Sequence, residues 1–147
     1  MNRCNSCNRA VAHIRGGAQA PNLRGCVRFQ QMENHVCVEI SIQGLPQNDS
    51  GFYGFHIHEG SRCTGVDFAD TGSHYNPENT PHPRHAGDLP PLLMCCGGAC
   101  QTVTTDRFRV AEIIGRTVVI HSMADDFRSQ PAGDAGTKIG CGVIYMP

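Results

Sequence analysis

The chain has 147 residues, with twelve Lys plus Arg against thirteen Asp plus Glu, a net charge of −1 and 39% hydrophobic residues. That length suits one domain whose core needs no disulfide to fold, and balanced charge without a block of one sign excludes the basic face that nucleic acid or an anionic membrane demands. No run reaches the roughly 18 apolar residues of a membrane span, and MNRCNSCNR at the start lacks the apolar centre of a signal peptide, so the expected partner is small and the expected location cytoplasmic, unless the chain is already trimmed.

Residues 1–9 read as a flexible tail carrying Cys4 and Cys7 in a C-x-x-C, ahead of a single domain over residues 10–147. From there the dominant period is two. In VCVEISIQ, Val36, Val38, Ile40 and Ile42 fall on one face and Cys37, Glu39, Ser41 and Gln43 on the other, which is the alternation of a half-buried antiparallel strand. Similar runs at 10–15, 25–30, 53–58, 101–104, 117–121 and 141–145 are separated by turns such as GGAQAPN and GLPQNDSG. The class predicted is all-β, a sandwich or barrel with one wet face. In TDRFRVAEIIG, Asp106 as N-cap and Gly115 as a stop predict about two turns of helix.

Two stretches break the period, 59–91 and 122–140. Both are rich in Gly and polar residues, and loops of that length inside a compact domain are usually functional or disordered. The histidines favour function. His56 and His58 in GFHIHEG leave the same face of a strand, a few ångströms apart, which suits a metal; a lone H-x-H is as often a surface pair. His74, His82, His85 and Asp88 in SHYNPENTPHPRHAGD supply three imidazoles and a carboxylate, a complete tetrahedral set for zinc. With His121 they lie in or beside the two loops, whereas His13 and His35 lie elsewhere and read as ordinary histidines. Nine cysteines leave at least one thiol unpaired. A thiolate metal site from Cys4, Cys7, Cys95, Cys96 and Cys100 would need the tail to meet the CCGGAC turn and lacks the usual paired knuckles.

GFHIHEG, SHYNP, HPRHAGDLPPL, GRTVVIHSMADDF and AGTKIGCGVI together resemble, in order and spacing, the motifs of the copper,zinc superoxide dismutase family, from about residue 10 to 145. The resemblance implies an eight-stranded Greek-key β-barrel, immunoglobulin-like in its sandwich architecture, with two long functional loops. It implies dismutation of superoxide at bound copper and zinc. Copper would take His56, His58, His74 and His121, and zinc would take His74, His82, His85 and Asp88, with His74 bridging. Asp125 would hold one histidine of each set, fixing both tautomers, and Cys63 and Cys141 would form a disulfide between the first loop and the last strand. Lys138 stands where the family usually has an arginine at the rim of the copper channel. Only four residues separate His58 from Cys63, a shorter subloop than the familiar eukaryotic enzymes use at their dimer contact, so a homodimer is a weaker expectation than the site. The alternative function is a non-catalytic copper- or zinc-binding sandwich, which would most readily lack a copper histidine. A plain adhesion-type sandwich leaves the clustered histidines unexplained.

Overall fold

The computed structural model describes residues 8–147, and the expected tail with Cys4 and Cys7 lies outside the described residues. Among the described residues nine strands follow in chain order: β1 (Arg9–Gly16), β2 (Arg24–Gln31), β3 (Val36–Gln43), β4 (Phe52–Tyr53), β5 (Phe55–His58), β6 (Leu92–Leu93), β7 (Ala99–Thr105), β8 (Thr117–His121) and β9 (Lys138–Tyr145). The alternation that predicts them is realised in burial. Along β3, Val36, Val38, Ile40 and Ile42 are buried while Glu39, Ser41 and Gln43 face solvent.

Seven strands form one antiparallel sheet in the order β5-β8-β9-β1-β2-β3-β7, and β4 pairs with β6 in a separate ribbon. The chain builds β4, β5 and β6 before β7 returns to lie beside β3, a Greek-key connection. The predicted strand 53–58 is broken at Gly54. Its N–H donates to the Met123 carbonyl and its carbonyl accepts from His121 N–H, so β4 turns to β6 while β5 stays with β8. With β4 and β5 taken as one broken strand, the count is eight. Closure between β6 and β7 is made by a side chain: Gln101 accepts Leu93 N–H at 2.6 Å and donates to the Pro91 carbonyl at 3.2 Å.

Inside the curl lie Phe29, Tyr53, Phe55, Ile57, Leu92 and Ile120, all essentially inaccessible. Each such side chain contributes about 1.5–3 kcal/mol relative to exposure. The predicted two-turn helix is shorter. Helix α1 (Val110–Ile113) is a single turn whose start is closed by Glu112 accepting Arg109 N–H at 2.7 Å, not by Asp106. Burial of Phe108, Val110 and Ile113 holds it, so packing outweighs capping propensity here. The segment 59–91 has no long strand, as expected, but contains irregular 3₁₀ turns over Val66–Thr71. Strand β9 begins three residues before the predicted 141, which takes Lys138 out of the second loop and into the sheet. His13 and His35 are both exposed.

Candidate metal centre

Strand β5 is buried on both faces. Phe55 and Ile57 point into the core, so His56 and His58 share the outer face, which needs a cover of its own. The first long loop supplies it. Ile57 N–H donates to the Gly87 carbonyl at 2.8 Å and the Ile57 carbonyl accepts Tyr75 N–H at 2.8 Å, which lays residues 74–75 and 87–88 along the edge of β5. Local bridges consequently pair His58 with His74 and His56 with Asp88. Across β5, Val119 lies opposite His56 and Thr117 opposite His58, so His121, two residues beyond Val119, faces the same way. Gly54 makes room: a Cβ there would lie 3.2 Å from His121 Cβ and 2.8 Å from Ala135 Cβ.

The second loop closes the cluster from behind. Asp125, buried, accepts His56 Nε2–H on Oδ2 and His82 Nε2–H on Oδ1, both at 2.8 Å, with Phe127 N–H also on Oδ1 at 2.8 Å. Gln130 clamps the two loops, accepting His82 N–H at 2.9 Å and donating to the His82 carbonyl at 2.8 Å. These bonds fix which nitrogen of each ring carries its proton. His56 and His82 are protonated on Nε2 and present a bare Nδ1, while His58 donates from Nδ1 to the Gly72 carbonyl at 2.9 Å and presents Nε2.

Two groups of ligand atoms result, each within 4.8 Å: His56, His58, His74 and His121, and His56, His74, His82 and Asp88. His85 belongs with the second group on distance, its Nδ1 lying 3.2 Å from His74 Nδ1 and 3.3 Å from Asp88 Oδ2. His56 and His74 stack with centroids 3.9 Å apart, so the groups share a wall.

Their chemistry fits cations. His56 Nδ1, His74 Nε2 and His82 Nδ1 are buried and have no hydrogen-bond partner among the described residues, and His82 Nδ1 lies 3.1 Å from Asp88 Oδ2. His58 Nε2 and His121 Nε2 approach to 3.3 Å. Since His58 carries its proton on Nδ1, and His121 Nδ1 faces the Gly136 carbonyl at 3.5 Å, the approach sets two lone pairs against each other, an arrangement that a cation between them relieves. Protonation is not the remedy: burial lowers His56 to about 4 and His121 to about 3, and pushes His58 well below its ordinary range. Asp125 is lowered too, which for a carboxyl favours the charged form. Burial raises its carboxyl, but the bonds from His56, His82 and Phe127 outweigh burial and hold it well below the usual carboxylate range. In Asp88 the His74 bond and the neighbouring histidines likewise outweigh burial.

Every site residue named from the sequence is in or against this cluster except the disulfide, which braces it. Cys63 and Cys141 are bonded, with Cα atoms 5.7 Å apart, fixing the first loop to β9. Lys138 Nζ donates to Thr71 Oγ1 at 2.8 Å and to the Gly72 carbonyl at 2.9 Å, the same carbonyl that His58 uses. Its charge is among the influences lowering His58 and His121. The Gly72 carbonyl and Gln130 are functional partners that sequence reading does not find. A backbone carbonyl has no residue signature, and one glutamine in a polar loop has none either.

A family model described as copper/zinc superoxide dismutase (SODC) matches residues 23–144. The chain is 37% identical over 156 residues to superoxide dismutase [Cu-Zn] 3 of Arabidopsis thaliana, covering 94% of this chain and 90% of that protein. It is 35% identical to the superoxide dismutase [Cu-Zn] of Schizosaccharomyces pombe, covering 92% and 96%, and 35% identical to an extracellular superoxide dismutase [Cu-Zn] of Drosophila melanogaster, covering 92% and 83%. With its histidine cluster in the family's order and the family model spanning most of its length, the chain belongs to the copper/zinc superoxide dismutase family.

Proposed function

We propose that the protein converts two superoxide anions and two protons into oxygen and hydrogen peroxide at a copper–zinc centre in which His74 is shared. The observation that carries the assignment is the set of bare, buried ring nitrogens converging from β5, β8 and the first loop. In this reading His56, His58, His74 and His121 would hold copper, and His74, His82, His85 and Asp88 would hold zinc. An all-imidazole set tolerates both copper oxidation states, and three imidazoles with one carboxylate is an ordinary zinc set. Copper, when bound, supplies the one-electron couple, and zinc supplies a redox-silent positive charge.

The residues divide the remaining work. Asp125 keeps protons on His56 Nε2 and His82 Nε2, so both Nδ1 atoms stay available as ligands. The Gly72 carbonyl does the same for His58. His74 Nε2, which no group among the described residues satisfies, would hold one proton and deliver it to the departing peroxide, whose second proton comes from solvent. Lys138 spends two of its three ammonium protons on Thr71 and Gly72 and keeps one for the incoming anion. The single domain is taken as residues 10–147. The proposal also includes a homodimer without nucleic-acid or membrane partners and a cytoplasmic location, readings that rest on the sequence and are checked by sedimentation velocity and cell fractionation. Among the described residues no helix is long and apolar enough to cross a membrane, and one relative is named as extracellular.

Metal analysis of ligand variants tests the assignment. His121→Ala should lose copper and keep zinc, whereas His74→Ala should weaken both. Full retention of both metals and of turnover in His74→Ala would show that the ring is not shared. A metal carrier without turnover is less well supported, since all four imidazoles of the copper set are present.

A further inference from the structure

Five thiols among the described residues are outside the disulfide: Cys26, Cys37, Cys95, Cys96 and Cys100. Three of them, Cys95, Cys96 and Cys100, line one groove. The CCGGAC segment forms a tight hairpin in which Cys95 and Gly98 exchange both backbone hydrogen bonds, at 2.8 and 3.2 Å. Its two central residues, Cys96 and Gly97, have φ of +55° and +80°. Such turns prefer Asn, Asp or Gly at both positions, so a cysteine there runs against local preference. The turn holds Cys96 Sγ 3.8 Å from Cys95 Sγ, with both side chains exposed. Cys100, also exposed, follows at the start of β7 and lines the same groove, whose other wall includes Pro90, Pro91, Phe52 and Leu93.

We propose that Cys95, Cys96 and Cys100 form a second metal site, entirely of sulfur and separate from the histidine cluster, that binds one Cu(I) ion. Two sulfurs 3.8 Å apart subtend an angle of about 110° at an ion about 2.3 Å from each, which leaves the ion open toward a third sulfur. Donor type selects the metal. Thiolates favour soft Cu(I), and among the described residues no histidine, aspartate or glutamate lines the groove to complete the four-ligand set that structural zinc takes. The inference rests on the hairpin and its thiols and is independent of the dismutase reading.

The test uses the protein loaded with copper and zinc and carrying Cys4→Ser and Cys7→Ser, which removes the C-x-x-C thiols near the start of the chain. Cu(I) is added anaerobically in competition with a chromogenic Cu(I) chelator. Retained copper and near-ultraviolet thiolate-to-copper absorption are read, with Zn(II) titrated in parallel. The expected result is one additional equivalent of Cu(I), lost when Cys95→Ser and Cys96→Ser are introduced, weakened by Cys100→Ser, and kept in Cys26→Ser/Cys37→Ser. No additional equivalent, retention unchanged by the Cys95→Ser/Cys96→Ser pair, or tighter binding of Zn(II) than of Cu(I) would each overturn the proposal. Superoxide turnover, measured separately on the same preparations, reports on the histidine centre alone.

Discussion

Gly133→Ala should strike the support of the metal centre without altering any ligand. Gly133 has φ of +71°, and a Cβ built on it would lie 2.0 Å from Asp125 Oδ1 and 2.6 Å from His82 Nε2. Since contacts under 3.0 Å are essentially never made by a real Cβ, Oδ1 must retreat by the difference between 2.0 and 3.0 Å, at least 1.0 Å. That oxygen accepts from His82 and Phe127 at 2.8 Å each, and both bonds would be stretched beyond useful length. An alanine forced into the left-handed region costs about 1–2 kcal/mol, and losing even one of these hydrogen bonds to a buried carboxylate about 1.5–3 kcal/mol, so destabilisation of at least about 2.5–5 kcal/mol is expected. Oδ2, which holds His56, is farther from the new methyl than Oδ1. Zinc should therefore weaken more than copper, by roughly 10–100-fold, the usual effect of removing a group that orients a metal-bound histidine. Denaturant unfolding of the metal-free protein and chelator competition for each metal are the assays. Gly51→Ala is the control, because Gly51 has φ of +78° and nothing within 4 Å of its built Cβ. If Gly133→Ala were no more destabilising than Gly51→Ala and left zinc affinity unchanged, the coupling through Asp125 would be refuted.

Replacing Cys63 and Cys141 by Ser opens a 78-residue separation, for which the chain-entropy relation gives about 4.5 kcal/mol; an unfolding midpoint that did not move would deny the disulfide that role. Lys138→Glu removes the two donor bonds to Thr71 and Gly72 and takes the net charge from −1 to −3, since a +1 side chain becomes −1. Steering, for which superoxide dismutases are themselves a standard example, changes on-rates by roughly 10–1000-fold, so turnover should fall within that range and lose its decline with added salt; Lys138→Arg should raise it. Unchanged rate and salt dependence in metal-replete Lys138→Glu would remove Lys138 from the substrate path. The metal-free protein should weaken in mild acid. His56 and His121 are lowered to about 4 and about 3 from an ordinary 6.5, so between pH 6.5 and 4 the unfolded chain binds protons that the fold does not, and stability falls as pH falls through that window. Equal urea midpoints at pH 7.5 and pH 5 would contradict this.

The sheet and the ligands are legible in the sequence for different reasons. Val36, Val38, Ile40 and Ile42 declare a strand because burial has the same period as the pleat, and His56 and His58 declare a shared face by the same rule. His74, His82, His85 and Asp88 declare zinc-binding types but not their meeting with β5. That meeting depends on Ile57 lending its backbone N–H and carbonyl to the loop, a partnership no side chain records. Gly54 breaks a strand that reads as continuous, because the need for space beside His121 and Ala135 is a tertiary fact. Asp106 fails as a cap for a similar reason: Phe108, Val110 and Ile113 choose their burial first, and the single helical turn follows. The division of the ligands into a copper set and a zinc set comes from the family resemblance, and the orientation of the ring nitrogens makes it physically coherent.

Superoxide decay followed by its ultraviolet absorbance, after rapid mixing with protein of verified copper and zinc content, separates turnover from metal binding. Catalytic decay is expected, with many anions consumed per protein, a rate proportional to protein concentration, and loss of that activity in His121→Ala with zinc still bound. Decay that stopped after one electron per copper, or that matched the metal-free protein, would contradict it and leave a metal-binding β-barrel without turnover.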